Sequence, residues 1–234
     1  MNLDRYQSEN LNELISVIDS SEIKVLILGG IPGSGKSTLR NQLNDYFIIC
    51  KDDIRVFFSQ QEFNEIITTD KLEKYNPLMK VIIPTLIECF FNYQLIQSLH
   101  ITDMKLLELI IKTSSKSNLS KVPKKLLNSV YTYIMSRLND IEGKKGICFD
   151  ACHFMTSQRK EILKMINKRC KNYIIYLNTT IEQAKESNLK RSQIIDNNDG
   201  KFVPDEVIDK MKELEKLPSL KEGFNKVFLL ERKI

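Results

Sequence analysis

The sequence lacks the apolar features that mark membrane and secreted proteins. Its 234 residues contain no apolar run long enough to span a bilayer. They contain no basic start followed by a short apolar stretch and a cleavage site. We therefore expect a soluble protein of the cell interior, in the cytoplasm or the nucleus, with no membrane partner.

Paired cysteines are also lacking. The five cysteines are odd in number and scattered along the chain, and Cys148-x-x-x-Cys152-His153 has no second pair at the spacing of a zinc ribbon. These features argue against a disulfide framework and against a structural zinc site. We predict reduced, mostly buried thiols at Cys50, Cys89, Cys148, Cys152 and Cys170.

Charge of either sign is in little excess. The 35 Lys and Arg residues against 30 Asp and Glu residues give a net charge of +5 at pH 7. The isoelectric point is about 8.8. Such a mild basic surplus permits a nucleic-acid partner without arguing for one.

A phosphate-binding pattern is the clearest feature that is present. Residues 30 to 38 satisfy G-x-x-x-x-G-K-[ST] and follow the apolar run 23–28, where a strand would end and a helix begin. Backbone N–H groups of such a loop surround a polyphosphate. The pattern predicts that Lys36 reaches the β- and γ-phosphates and that Ser37 ligates Mg²⁺. The predicted nucleotide-binding residues are Gly30, Pro32, Gly33, Ser34, Gly35, Lys36, Ser37 and Thr38.

Apolar runs alternate with helical patterns along most of the chain. Strands alternating with helices imply a parallel sheet covered on both faces, with ligands at the carboxyl ends of its strands. We predict an α/β fold, a P-loop NTPase sheet flanked by helices, in one domain over residues 1–234. The predicted strands are 23–28, 46–50, 146–149, 173–177 and 226–230, and the predicted helices are 9–19, 37–45, 156–169, 180–191 and 205–216.

Charged residues follow the second predicted strand, as Lys51-Asp52-Asp53-Ile54-Arg55. At that edge of the sheet a carboxylate can accept a proton from an attacking hydroxyl, and an arginine can hold an anionic group of the acceptor. Asp before an apolar stretch is also a common helix cap. We expect one aspartate to cap the next helix and the other to act.

A single acid, Asp150, ends the third predicted strand. P-loop proteins place an acid there, near the metal ion or its water shell. The alternatives are a helix cap or a surface salt bridge.

Basic residues precede a polar stretch at 196–201. Lys185, Lys190 and Arg191 lie on the predicted helix 180–191, and such helices carry cations onto a triphosphate in lid elements. A solvated helix face is the equal alternative.

Several of these segments together resemble the kinase domain of polynucleotide 5′-kinases. The similarity rests on the P-loop, on residues 51–55, on Phe149-Asp150 with Ser157-x-Arg159, and on the closing run from Val203-Pro204-Asp205 to residues 218–224. It covers residues 23–58 and 143–231, and the closing run is its most specific part.

The resemblance implies roles for individual residues. Asp52 would be the general base for a 5′-hydroxyl, and Arg55 would contact the phosphate next to the acceptor nucleotide. Lys36 with Arg191, or Lys190 in its place, would stabilise the transferring phosphoryl group of ATP in the presence of Mg²⁺. Asp53 and Asp150 would lie on the substrate side, with Asp150 also near the metal.

The chain departs from that family at three points. Lys51 replaces the usual arginine, and Ala151-Cys152-His153 replaces an Asn/Thr-rich triplet. Nothing matches the Asp-x-Asp-Gly-Thr segment of the companion 3′-phosphatase, so we predict no phosphatase. The implied partner is a nucleic acid with a 5′-hydroxyl end, and the oligomeric state is left open.

The middle of the chain, residues 66–140, reads as an all-helical insertion. Apolar spacing from Leu78 to Phe91 is helical, and further helices are predicted at 103–112 and 124–138. The stretch from Lys112 to Lys121 holds several lysines and no acid. It could touch acceptor phosphates, but a solvated loop between two helices is the reading we favour.

Other functions share these features. A kinase of serine charged on tRNA, or of a small molecule, would use the same P-loop and a similar acid. A nucleotide-gated protein-interaction module would use the loop as a switch, with the helical insertion binding a protein.

Overall fold

The computed structural model of the protein describes residues 14, 24–59, 76–98, 108, 110–113, 118–166, 170–194 and 203–231. The chain forms two compact units. Unit one comprises residues 1–48 and 145–234, and unit two comprises residues 49–144. The assignment of one kinase domain with an insertion at 66–140 stays a prediction.

Five strands form one parallel sheet, in the order β2-β3-β1-β4-β5. Helices flank it, so the predicted P-loop NTPase α/β fold is confirmed. The first strand pairs on one side with β3, where Leu28 lies opposite Asp150, and on the other with β4. The strands are β1 Lys24–Gly29, β2 Tyr46–Cys50, β3 Gly146–Asp150, β4 Lys171–Asn178 and β5 Lys226–Glu231.

The described helices are mostly those that the apolar spacing predicts. Residues 108 and 110–113 are helical as well. Short 3₁₀ helices lie at Leu119–Lys121, Lys124–Leu126, Asn139–Ile141 and Leu220–Glu222. The α-helices are α1 Lys36–Arg40, α2 Lys51–Phe58, α3 Asn76–Phe91, α4 Tyr93–Ser98, α5 Leu127–Leu138, α6 Thr156–Ile166, α7 Ile181–Ile194 and α8 Asp205–Glu213. Among the described residues, no helix is long and apolar enough to cross a membrane.

Several predicted helix ends differ from the observed ones, and the helix predicted at 180–191 runs from Ile181 to Ile194. The helix after the P-loop ends at Arg40, where residue 45 was expected. The helix predicted at 124–138 opens as a 3₁₀ turn and becomes α-helical at Leu127. The helix predicted at 205–216 ends at Glu213, and the one predicted at 156–169 is described only to Ile166. Of helix 9–19 only Leu14 is described, and it is helical and buried.

The strands form because their apolar runs can be buried on both faces. Every residue of β3 is buried, as are residues 172–177 of β4. Leu14, Leu26 and Leu28 share a core cluster with Ile175. The carboxyl end of β1 is thereby fixed between two buried neighbours, and the P-loop leaves the sheet from that end.

The cysteines behave as small apolar side chains. None of the five forms a disulfide bond, and Cys50, Cys89 and Cys148 are buried, which agrees with the predicted thiols. Burial, with a smaller contribution from Glu88, raises the pKa of Cys89 to about 12. That thiol therefore stays protonated at neutral pH.

A buried ion pair joins the segments on which the resemblance rests. Arg159 of α6 is fully buried, and its Nε and Nη2 each donate to a carboxylate oxygen of Glu222 at 2.8 Å. Its Nη1 donates to the carbonyl oxygen of His153 at 2.9 Å. Ser219 and Glu222 form a capping box on the last 3₁₀ helix. Arg159 thus ties the β3–α6 connection to the segment before β5.

Replacing Arg159 should therefore be costly to stability. Arg159→Met leaves the Glu222 carboxylate buried without its guanidinium, so we expect a loss of about 3–5 kcal/mol in the free energy of unfolding. The control is Lys145→Met, which removes a half-exposed ion pair with Asp45 in the same unit and should cost under about 1 kcal/mol. Denaturant unfolding measures both. Equal, small losses would show that the buried pair is dispensable.

Candidate nucleotide-binding site

The P-loop occupies the turn between β1 and α1 in unit one. Gly30, Gly33 and Gly35 adopt positive φ angles, which lets the backbone curl. The N–H of Gly30 donates to the carbonyl oxygen of Cys152 at 2.8 Å, so the loop is anchored where it leaves the sheet. The geometry is that of a glycine turn entering a helix N-terminus, as the sequence predicts.

Lys36 closes this loop from the inside. Its Nζ lies 2.7 Å from the carbonyl oxygen of Gly30, 2.8 Å from that of Ile31 and 3.3 Å from Ser34 Oγ. An ammonium group has three donors, and these three contacts use them all. Lys36 is therefore a cross-link of the loop as well as the cation predicted to face phosphates.

The loop packs against helix α7. Gly33 has φ +81°, and a Cβ built there would lie 2.2 Å from the backbone oxygen of Ala184. Ile31, Ala184 and Ile208 form a small buried cluster beside this contact. The tip of the loop and the helix that carries the predicted lid cations are thus held together, without room for a side chain between them.

Ser37 and Asp150 approach the loop from two elements. Ser37 is an exposed residue in the first turn of α1. Asp150 ends β3, is only 6% exposed, and accepts a 3.1 Å bond from Nη1 of Arg40. Asp150 is therefore neither a helix cap nor a surface salt bridge. A hydroxyl and a carboxylate are hard oxygen ligands of the kind Mg²⁺ binds, so both residues fit the metal.

The three lid candidates have different surroundings. Lys185 is bound to Asp209 of α8 at 2.7 Å, and this hydrogen bond raises the pKa of Lys185. Lys190 pairs with Glu186 on its own helix. Arg191 forms no ion pair or hydrogen bond with the part of the chain that the structure describes. Of the alternatives Arg191 and Lys190, Arg191 is the one without a competing carboxylate there.

The changed triplet after β3 holds the P-loop strand. His153 is buried, has φ +42°, and places its Nδ1 2.7 Å from the carbonyl oxygen of Leu28. Because a carbonyl oxygen can only accept, Nδ1 carries the proton. With the bond from Gly30 to Cys152, two consecutive residues of the triplet bind the end of β1. Sequence analysis identified this triplet only as a departure from the pattern of polynucleotide 5′-kinases, and it missed the role of the triplet in holding the end of β1.

A hydrogen-bond cluster around the end of β4 was also missed. Tyr176 of β4 donates its hydroxyl to Glu215 Oε1 at 2.7 Å, and Lys212 Nζ contacts Glu215 Oε2 at 2.6 Å. Burial, and then the bond to Glu215, raises the pKa of Tyr176, so the phenol stays a donor. Lys212 also donates to the carbonyl oxygen of Thr179 at 3.1 Å. No local pattern announces contacts across 33 to 39 residues.

The predicted acceptor residues lie in unit two, at the start of α2. The N-cap is Cys50, with no side-chain capping bond, so the expectation that Asp52 or Asp53 caps this helix is wrong. The helix begins two residues earlier than a cap at Asp52 would require, and both aspartates lie in its first turn, where their charge suits the helix dipole.

Asp52 and Arg55 form an ion pair on this first turn. Arg55 Nη1 lies 2.5 Å from Asp52 Oδ1, and the Asp52 side chain is 68% exposed. Arg55 Nε is buried and has no hydrogen-bond partner among the described residues. The pair therefore presents an exposed carboxylate beside an incompletely satisfied guanidinium.

Aromatic packing fixes the other end of α2. The centroid of the Tyr133 ring, on α5, lies 4.9 Å from the ring centroid of Phe57 and 6.1 Å from that of Phe58. Burial is the main cause that raises the pKa of Tyr133 to about 12. The phenol therefore stays protonated at neutral pH, where its ring packs against the end of α2.

The predicted site residues therefore fall into two groups. Lys36, Ser37 and Asp150 belong to unit one, whereas Asp52 and Arg55 belong to unit two. That the two groups form one active site stays a prediction. The basic loop 112–121 lies partly outside the described residues. Lys121 at its end, and Lys124 and Lys125 just beyond it, are exposed.

Comparison with known proteins identifies the family. The family model described as "AAA domain" matches residues 25–218, so the chain belongs to that family of P-loop, kinase-like proteins. Such domains typically bind a nucleotide with Mg²⁺. No curated protein matches the sequence.

One solved structure with a distant likeness covers most of the chain. The chain is similar to "Crystal structure of TT1252 from Thermus thermophilus", with 14% sequence identity over 90% of this chain and 89% of that one. The TM-score is 0.37.

The contact of Gly33 with Ala184 predicts a strict size limit. Gly33→Ala must shift the loop, so we expect ATP affinity to fall at least tenfold, about 1.4 kcal/mol. Gly143→Ala is the matched control, because Gly143 also has positive φ but nothing lies within 4 Å of its built Cβ. It should cost only the strain of a left-handed alanine, about 1 kcal/mol of stability.

Calorimetric titration with ATP and thermal unfolding of both variants test this limit. Wild-type ATP affinity in Gly33→Ala would show that the loop tolerates a side chain against α7.

Proposed function

We propose that this protein is an ATP-dependent kinase that transfers the γ-phosphoryl group to the 5′-hydroxyl of a nucleic acid. Membership of the AAA domain family supports a nucleotide-dependent, kinase-like activity. The observation that carries the acceptor assignment is the Asp52–Arg55 pair, an exposed carboxylate bound to an arginine directly after a sheet strand.

On the nucleotide side, Lys36 and the loop backbone would hold the β- and γ-phosphates. The three donors of Lys36 all bond to the loop, so phosphate binding must break at least one of these bonds. The bond to Ser34 Oγ, at 3.3 Å, is longer than the two carbonyl bonds and should break first. Ser37 and Asp150 would hold Mg²⁺, which neutralises charge on the phosphate oxygens when bound. Arg191 would add a cation from α7.

On the acceptor side, Asp52 would act as the general base. Its Oδ1 accepts from Arg55, and Oδ2 has no hydrogen bond to a described residue, so Oδ2 is free to take a proton. As the 5′-oxygen forms its bond to the γ-phosphorus, the hydroxyl proton passes to Asp52. The bond from phosphorus to the β,γ-bridging oxygen breaks, and ADP leaves.

Arg55 would bind the phosphate next to the acceptor nucleotide. Its hydrogen bond to Asp52 is the one it makes with the described residues, and its buried Nε makes none. An unsatisfied buried donor costs about 1–3 kcal/mol. A phosphate that reaches Nε would satisfy that donor, which favours an anionic acceptor over a neutral one.

Replacing each of the two neighbouring aspartates by asparagine tests this mechanism. Asp52→Asn keeps the shape and removes the proton acceptor, so kcat for transfer to a 5′-hydroxyl oligonucleotide should fall roughly a hundredfold or more. ATP affinity should stay near that of the wild type. Asp53→Asn is the matched control, because it makes the same charge change on the same helix turn. Each variant loses roughly 0.3–1 kcal/mol of favourable interaction with the helix dipole.

The two variants distinguish three outcomes. A large loss in Asp53→Asn with little change in Asp52→Asn would move the base to the neighbouring residue. Full turnover in both would refute the hydroxyl-acceptor mechanism, and the nucleotide-gated switch would then explain the P-loop better.

A further inference from the structure

Arg40 occupies a position beside the predicted metal shell that the mechanism above does not use. Its Nη1 lies 3.1 Å from Asp150 Oδ2, and the two side chains are 23% and 8% exposed. Arg40 is the last residue of α1, and Asp150 is the last residue of β3. The pair joins two residues that are 110 positions apart in the sequence.

The helix geometry puts this pair on the side of Ser37. Residues three apart on an α-helix are neighbours, so Ser37 and Arg40 share one face of α1. Because Arg40 reaches Asp150 from that face, the hydroxyl of Ser37 and the carboxylate of Asp150 flank the same end of the sheet. A cation between them would meet the guanidinium of Arg40.

We propose that Arg40 is the resident counter-cation of Asp150 and competes with Mg²⁺ for it, which sets the metal concentration that nucleotide binding requires. The inference rests on the nucleotide and metal part of the proposed function, and it is independent of the acceptor. Arg40 is a positioning residue in this account, since it acts on the metal through Asp150.

Charge and burial explain why the competition arises. A carboxylate as buried as Asp150 needs a cationic partner. A divalent ion beside the same carboxylate adds two positive charges close to the guanidinium. The repulsion between these like charges lowers the metal affinity several-fold, even at a high effective dielectric constant. Arg40 is partly exposed at a helix end, so its head group can withdraw into water as the metal binds.

Manganese titration tests the competition directly. Free Mn²⁺ is followed by electron paramagnetic resonance in the presence of the β,γ-imido analogue of ATP. Arg40→Gln keeps a hydrogen-bond donor but removes the charge, so the Mn²⁺ dissociation constant should fall roughly three- to tenfold. Arg40→Lys keeps the positive charge that repels the metal, so its dissociation constant should stay within about twofold of the wild type.

Two controls separate competition from a general effect. Lys145→Gln makes the same charge change in the same unit. Lys145 directly precedes β3, at the end of the strand opposite to Asp150, so this variant should leave Mn²⁺ binding unchanged. In an Asp150→Asn background Arg40→Gln should have no further effect, because the carboxylate under competition is gone. Unchanged or weaker Mn²⁺ binding in Arg40→Gln alone overturns the inference.

A measurement on the wild type does not depend on how Arg40→Gln folds. The Nε–H signal of Arg40, assigned by its loss in Arg40→Lys, should shift when Mg²⁺ is added to the protein with the analogue. A signal that stays in place contradicts the withdrawal of Arg40. Failure of transfer to a 5′-hydroxyl oligonucleotide, with Mn²⁺ competition intact, would instead contradict the proposed kinase and support the role of Arg40.

Discussion

The ammonium group of Lys36 has three N–H donors, and the loop in front of it takes all three. Everything else in the candidate nucleotide site depends on that closed turn. The sheet delivers the end of β1 to it, and α1 starts from it. Gly33 then presses against Ala184 without space for a methyl group. A loop fixed on these sides can present its N–H groups without first ordering itself, which lowers the entropic cost of binding a polyphosphate.

The supports of the loop extend to the far end of the chain. Gly30 is bonded to Cys152, His153 to Leu28, and Arg159 to both His153 and Glu222. A continuous set of hydrogen bonds therefore joins the P-loop to the segment before β5. The closing run that resembles polynucleotide 5′-kinases has a structural task in this chain, which explains its presence whatever the acceptor is.

Local patterns were enough to predict the P-loop and the strands. The P-loop has fixed spacing, and a parallel strand buried on both faces needs a continuous apolar run, as in residues 173–177 of β4. Helix ends were less predictable, because the stop depends on tertiary contacts. The helix α1 ends at Arg40, where the side chain turns to Asp150. Likewise α2 starts from an extended Cys50, so neither aspartate is its cap.

Contacts between distant residues could not be predicted from one sequence. The pairing of Arg159 with Glu222 spans 63 positions, and the local sequence around either residue does not indicate its partner. The same holds for Arg40 and Asp150. The Arg40–Asp150 pair arises because the sheet order brings the end of β3 next to β1, an order that connectivity leaves open. The chemical identity of Asp150 was foreseen, but its arginine partner was not.

Transfer of radiolabel from ATP to a panel of acceptors tests the central claim most directly. The panel holds DNA and RNA oligonucleotides with a 5′-hydroxyl, the same oligonucleotides with a 5′-phosphate as matched controls, tRNA charged with serine, and free nucleosides. The account predicts label on the 5′-hydroxyl oligonucleotides and none on their 5′-phosphorylated counterparts. Label on charged tRNA or on nucleosides, with the oligonucleotides unlabelled, would contradict it.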